Sequence, residues 1–323
     1  MDGIIKIVLP SDVKSIIDDI KDLKIQGATN VAMSSVKAMK LWLEHYMEDI
    51  HDDKKTFIKK LKKAGTIIAW ARPNEPLAKN CIKFVIYKLT TGMLGETDIE
   101  KMVSLAEEKM DEYLELIKDT KSQIIGHGTK LLKKHNELLT HCHSSTTEKM
   151  LIEISRQRKG DLKVISCETR PRYQGRITAR NLFNAGVETY LIVDSAVSSF
   201  LVDNKYLPVD AVLLGADQIN TDGSVINKVG SLNIAVSASL SGRPIYVAAQ
   251  LLKIDVTTYY DPINIELRDA REVWSDAPEG LNIINPAFDR IPDELIKGII
   301  TEFGVIKPKD VYSMATEKYG WLM

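Results

Sequence analysis

Nowhere in this 323-residue sequence does an apolar run approach the roughly 20 residues that span a bilayer, so a membrane-spanning chain is not expected. The start, Met1-Asp2-Gly3-Ile4-Ile5-Lys6, has no basic segment leading into a long apolar stretch, and an unprocessed, soluble protein is the expectation. Cysteine is scarce. Cys81, Cys142 and Cys167 are three, odd in number and widely spread, which argues against a secreted disulfide framework and for the reducing cytoplasm. Charge of one sign is missing too: 43 Lys and Arg face 44 Asp and Glu, a formal net charge of -1. No overall field exists to hold a nucleic-acid backbone or an anionic membrane surface. No G-x-G-x-x-G follows the first strand and no G-x-x-x-x-G-K-S/T occurs, so dinucleotide and nucleoside-triphosphate loops are unsupported. The expected partner is a small molecule or another protein subunit. One local basic run (Lys54, Lys55, Lys59, Lys60, Lys62, Lys63) is spaced around Phe57, Ile58 and Leu61 as the wet face of a helix.

The length exceeds a usual single core, and two domains are expected. From Ser11 to about Leu132 the pattern is helical. Ile16, Ile17, Ile20 and Leu23 recur at helix spacing behind Ser11, read as an N-cap; Met102, Leu105, Ala106, Met110, Tyr113 and Ile117 do so in a long charged stretch. Breaks fall at Gly27, at Arg72-Pro73-Asn74 and from Gly92 to Gly95. From Glu137 the rhythm changes. Strand-like runs at 138–141, 163–167, 189–193, 211–214 and 244–248 alternate with helix-length segments near 146–157, 174–185, 195–201 and 229–240. That alternation predicts an α/β fold with a doubly wound parallel sheet covered on both faces. The expected division is a helical N-terminal domain over 1–125 and a Rossmann-like domain over 126–323.

In such sheets ligands sit outside the carboxyl ends of the strands. The residues expected there are Cys142 with His143 to Thr146, then Glu168-Thr169-Arg170, Asp194-Ser195, Asp217, and Gln250 with Lys253. Ser144, Ser145 and Thr146, at a helix start, suit a phosphate, and the same helix end would lower the Cys142 thiol pKa and make it a usable base or nucleophile. The other reading of Cys142 is a small buried thiol beside an ordinary Ser/Thr cap. Asp217 follows the small pair Gly215-Ala216, where partial desolvation lets a carboxyl hold a proton; alternatively it caps the turn beginning there. Asn227-Lys228, read as a loop, could place a cation on a phosphate or oxyanion. His141, Cys142 and His143 alternate along a strand, so no metal site is expected among them. Arg170, Arg172 and Arg176 crowd one loop; guanidinium forks suit phosphate, and Glu168 is the obvious structural partner.

Together Thr140-His141-Cys142-His143-Ser144, Glu168-Thr169-Arg170-Pro171, Gln174-Gly175-Arg176-Ile177-Thr178-Ala179, Asp194-Ser195-Ala196, Gly215-Ala216-Asp217 and Ile226-Asn227-Lys228-Val229-Gly230 resemble one family. It joins aldose-ketose isomerases of phosphorylated ribose sugars with the regulatory subunits of the translation initiation guanine-nucleotide exchange factor. Asn264 to Asp269, Asn285 to Asp289 and Tyr319-Gly320-Trp321 extend the likeness, which is strong over 125–323 and weaker before. The archaeal branch is the nearest in pattern. The resemblance implies conversion of ribose 1,5-bisphosphate to ribulose 1,5-bisphosphate through a cis-enediol in AMP salvage, with no redox cofactor or metal. Cys142 matches the base and Asp217 the acid, while Arg72, Ser144, Ser145, Thr146, Gln174, Asn227, Lys228 and Lys253 match substrate-binding positions. So do Gln26, Gly27, Ala28 and Thr29, where the isomerases usually read Arg-Gly-Ala. A cytoplasmic homo-oligomer, a dimer or trimer of dimers, is also implied. The alternatives are methylthioribose 1-phosphate as substrate, or a regulatory subunit without catalysis.

Overall fold

The computed structural model describes residues 7–48, 52–92, 98–203, 206–260 and 263–322. The opening six residues and the stretch from Gly92 to Gly95 beyond Gly92 itself, both read above, lie outside these. Two compact units form: residues 1–118 with 315–323, and residues 119–314.

The first unit is built from α1 (Ser11–Lys21), α2 (Ala28–Met47), α3 (Lys54–Ala69), α4 (Pro76–Gly92) and the front of α5 (Ile99–Leu132). Its apolar residues recur every three or four positions, so each helix buries one stripe. In α3 the stripe is Phe57, Leu61, Ala64 and Ile68, and the lysines around it lie on the wetter face, as the spacing predicts. Ser11, read as a cap, is the first helical residue of α1, with Pro10 at the cap position. Asp53 caps α3 by accepting the Thr56 N–H at 2.8 Å. The chain's end also belongs to this unit: Trp321 packs edge-on against Phe84, 5.1 Å between ring centres, and Tyr113 donates to the Leu77 carbonyl at 3.0 Å.

The second unit is the expected doubly wound α/β layer. Its strands are β1 (Glu137–His141), β2 (Lys163–Cys167), β3 (Glu188–Ile192), β4 (Ala211–Leu214), β5 (Gln218–Asn220), β6 (Val225–Lys228), β7 (Ile245–Ala248), β8 (Ile254–Asp255), β9 (Phe288–Ile291), β10 (Gly298–Thr301) and β11 (Gly304–Ile306). Between them run α6 (Ser145–Gln157), α7 (Gln174–Asn184), α8 (Val197–Leu201) and α9 (Ser231–Leu240), followed by α10 (Val311–Lys318). The main sheet has the order β11-β10-β7-β4-β1-β2-β3, parallel except for the β10–β11 hairpin. Neighbours along β1 and β4 point to opposite faces, yet Leu138, Leu139, Val212 and Leu213 are all fully buried, so both faces are covered. One face carries a core of Leu138, Val164, Leu213 and Ala248 against Met150, Leu151 and Ile154 of α6.

The chain winds outward from β1 through β2 to β3, then crosses back to β4, β7 and β10. The reversal falls between β1 and β4, and in open sheets of this kind the carboxyl ends at the reversal are where ligands bind. A second sheet, β8-β5-β6-β9, follows β4 directly. It corrects the reading of Asn227-Lys228 as a loop: both residues end strand β6, antiparallel to β5.

Candidate functional site

Strand β1 delivers Cys142 and β4 delivers Asp217, the two strands that flank the reversal. Just past Cys142, Ser144 caps α6, its hydroxyl accepting the Thr147 N–H at 3.3 Å. Gly215 is needed opposite: a Cβ there would stand 2.9 Å from the Ser144 Cβ, so only glycine lets the end of β4 lie against this cap. The half-buried Asp217 donates its N–H to the Ile226 carbonyl at 2.9 Å, and its carboxylate takes no hydrogen bond among the described residues. Turn capping, the alternative reading of Asp217, falls to Asp222, which accepts the Ser224 N–H at 2.9 Å.

The Cys142 thiol departs from expectation. Burial pushes it up to about 11, opposed first by the nearby positive charge of Lys228 and reinforced by the negative charge of Asp217. The helix start that was expected to lower it is outweighed because desolvating a thiolate costs more than a partial dipole returns. Lys228 and Asp217 thus both lie close enough for their charges to act on the Cys142 thiol. Before Cys142, His141 is buried, and its Nε2 donates to the Val229 carbonyl at 2.8 Å. Desolvation lowers its pKa and keeps the ring neutral.

Other expected residues gather around this pair. Lys253 donates to the Ala216 carbonyl at 2.6 Å, beside Asp217, and the buried Asn227 amide donates to the Ser231 hydroxyl at 2.8 Å. Ser145 accepts from Lys121 of α5 at 2.7 Å. Sequence reasoning missed Lys121, one lysine in a long charged helix. Desolvation and the charges of Lys149 and Lys253 lower its pKa, the signature of cations collected where an anion would relieve them. Thr146 follows in the first turn of α6, and Gln174 opens α7 with its side-chain oxygen buried and without a hydrogen-bond partner. The three loop arginines are engaged: Arg176 with Glu168 at 2.7 Å, Arg172 with Glu272 at 2.8 Å, and Arg170 with the Val273 carbonyl at 2.7 Å.

Gln26, Gly27, Ala28, Thr29 and Arg72 belong to the first unit. Gly27, with φ 84°, is the cap of α2, Ala28 and Thr29 start that helix, and the exposed Gln26 donates to the Leu23 carbonyl at 2.7 Å. Lys24, two residues before Gln26 in sequence, is held by Asp19 at 2.7 Å, and Arg72 is buried against Glu75 at 3.2 Å.

One ligand-like group stands behind the site: His141, Cys167 and Asp194 bring a nitrogen, a sulfur and an oxygen within 4.8 Å of one another. The Thr169 hydroxyl lies 3.3 Å from His141 Nδ1, and the Asp194 oxygens accept the Thr169 and Arg170 amides at 2.8 and 2.6 Å. The group is a hydrogen-bond node. A cavity of about 580 Å³ lined by Arg243, Ile245, Lys297 and Lys307 lies at the opposite, amino-terminal ends of β7 and β10, away from this chemistry.

A thiol, a carboxyl and several lysines gather at the switch point of a Rossmann-like α/β sheet, side chains of the kind suited to moving protons on an anionic ligand. Residues 24–308 match the Initiation factor 2 subunit family, and the chain belongs to it. It is 34% identical over 313 residues to a ribose 1,5-bisphosphate isomerase of Methanocaldococcus jannaschii, covering 96% of each chain. It is 30% identical to a methylthioribose-1-phosphate isomerase of Exiguobacterium sibiricum, over 93% of this chain and 87% of that one. Among solved structures, a translation initiation factor eIF-2B of Pyrococcus horikoshii superposes with a TM-score of 0.75 at 25% identity, over 93% of this chain and 98% of that one. The chain is an isomerase. Among the described residues no helix is long and apolar enough to cross a membrane.

Proposed function

We propose that this isomerase acts on a sugar phosphate, converting ribose 1,5-bisphosphate to ribulose 1,5-bisphosphate in AMP salvage. The observation that carries the reading is the placement of Cys142 and Asp217 after the two strands that flank the sheet's reversal, with Lys228 beside the thiol. With substrate bound, the Cys142 thiol passes its proton to the Asp217 carboxylate; Asp217 then gives that proton to the ring oxygen as the C1–O bond breaks, and the Cys142 thiolate takes the C2 proton as C1 and C2 become doubly bonded. The cis-enediol, still carrying its 1-phosphate, then receives a proton at C1 from Cys142, and the C2 hydroxyl returns one to Asp217 as the ketone forms. With that proton passed back to the thiol, both groups end as they began, and the product is an isomer of the substrate. Ser144, Ser145, Thr146, Gln174, Asn227, Lys228 and Lys253 bind substrate, the lysines neutralising phosphate. Gln26, Gly27, Ala28, Thr29 and Arg72 are carried as binding positions on the resemblance alone.

Purified protein is expected to form ribulose 1,5-bisphosphate without added metal, and Cys142→Ser and Asp217→Asn to abolish turnover with the circular dichroism spectrum intact. Methylthioribose 1-phosphate, tested in parallel, is expected to turn over far more slowly. Wild-type protein that binds the bisphosphate and isomerises neither sugar sinks the reading.

The protein is further proposed to be a cytoplasmic homo-oligomer. Phe183 of α7 and Tyr190, Leu191 and Val193 at the end of the β3 edge are exposed large apolar groups, and Phe183 is 72% exposed. Phe183→Glu with Leu191→Glu is expected to reduce the mass measured by light scattering.

A further inference from the structure

The backbone at Cys142 is held in a way that parallel-sheet geometry does not require. Cys142 has φ 66° and Thr169 φ 67°, both non-glycine residues in the left-handed region, just past the neighbouring strands β1 and β2. For a β-branched residue such as Thr169 this conformation is costly and persists only where the surroundings impose it. Asp194 imposes it by accepting the amides of Thr169 and Arg170. Gly175 permits it: a Cβ there would stand 1.7 Å from the Cys167 carbonyl oxygen and 2.9 Å from the Thr169 hydroxyl.

What the strained residue supplies is a hydroxyl. Thr169 is fully buried, donates to the Cys167 carbonyl at 3.1 Å, and accepts the Cys142 N–H at 2.9 Å. On the following peptide, Thr178 of α7, also buried, donates to the Cys142 carbonyl at 2.9 Å and receives His143 Nδ1 at 3.1 Å. Both peptide groups of Cys142 are therefore tied to threonine hydroxyls.

We propose that Thr169 and Thr178 are positioning residues that lock the left-handed turn at Cys142 and so fix the thiol relative to Asp217 and Lys228. A left-handed residue breaks the strand's alternation, so the direction of its side chain is set by this clamp rather than by the pleat. Displacing a reacting group by about 1 Å can cost roughly 100-fold in rate, and that is the scale on which the clamp acts. The catalytic consequence rests on Cys142 being the base, whereas the geometric claim does not.

The test uses the full-length protein and pairs two readouts. Thr169→Val removes the hydroxyl at constant shape, Thr169→Ser keeps it, and Thr178→Val removes the second tie. For ribose 1,5-bisphosphate, kcat is expected to fall by roughly 10- to 100-fold in Thr169→Val with KM within about twofold, and to recover largely in Thr169→Ser. Independently, the rate at which iodoacetamide alkylates Cys142, read by mass spectrometry of its peptide, is expected to change in both valine variants and remain near wild type in Thr169→Ser. If Thr169→Val does not fold, Thr178→Val and Thr169→Ser carry the comparison. Folded valine variants with wild-type alkylation rates overturn the clamp. An active Cys142→Ser overturns the base assignment instead, and the alkylation rates still decide the clamp.

Discussion

Lys228 opposes burial at Cys142: its ammonium is the largest influence favouring the thiolate, while desolvation holds the thiol up near about 11. The free protein therefore carries Cys142 as a thiol at neutral pH, and each pH unit below that value reduces the thiolate roughly tenfold.

The first consequence concerns Lys228→Met. Removing the cation takes away what lowers the thiol, so the alkylation midpoint of Cys142 is expected to rise by about one unit, with roughly tenfold slower alkylation at pH 8. Isomerase kcat/KM should fall in the same variant. An unchanged midpoint would mean that solvent screens Lys228 from the thiol.

Stability should fall in alkali. Burial raises Cys142 from 9.0 to about 11 and also raises Cys81 and Cys167. Above pH 9 the unfolded chain loses these protons while the folded chain keeps them, so the unfolded state gains. For Cys142 this stabilisation is complete below pH 9 and is lost as pH rises through about 11. Urea melts across that window are expected to show Cys142→Ser losing less stability than wild type, by about 1.4 kcal/mol per pH unit. Parallel curves would contradict the raised thiol.

A methyl group at position 215 has nowhere to go. Gly215→Ala sets a Cβ 2.9 Å from Ser144 Cβ and 3.1 Å from its hydroxyl. The cap of α6 or the end of β4 must shift, at about 1–3 kcal/mol. Denaturant midpoints should show the loss, and turnover should fall more steeply than stability because Ser144 and Asp217 sit on the two elements forced apart.

The family resemblance makes Gln26 a substrate-binding position at which the isomerases carry arginine, and a hydrogen bond to a charged group is worth about 1.5–3 kcal/mol. Gln26→Arg is therefore expected to lower KM for the bisphosphate by roughly tenfold or more. A KM that does not move would remove position 26 from the substrate-binding set.

The parallel strands were legible because short runs such as Ala211 to Leu214, wholly apolar, and Leu138 to His141, which opens on two leucines, are separated by helix-length segments. Cys142 and Asp217 were legible for the same reason, each being the first reactive group after such a run. The second sheet was not. Gln218–Asn220 and Val225–Lys228 are three and four residues long and half polar, too short for a period to show. Lys121 gave no signal, because a charged helix offers many lysines and only the fold selects the one beside Ser145. Nor did Thr169 and Thr178, whose roles arise from backbone angles and from contacts between elements far apart in sequence. Between the two readings of Cys142, a thiol lowered by the helix start and a buried thiol, the raised pKa favours burial, because helix position is visible in sequence and the extent of desolvation is not.

Because Lys228 lies on a strand, its chemistry depends on counting. Side chains alternate along β6, so Asn227 and Lys228 face opposite ways, and β6 is pinned between β5 and β9 with Asn227 opposite Asp289 and Lys228 opposite Phe288. A one-residue slip of β6 would present an amide where the ammonium now stands. The turn at 221–224 guards against that slip by its composition: Gly223 has φ 84°, a Cβ there would stand 2.3 Å from the Pro308 carbonyl oxygen, and Asp222 accepts the Ser224 N–H at 2.9 Å, so residues far from the thiol hold the cation in register.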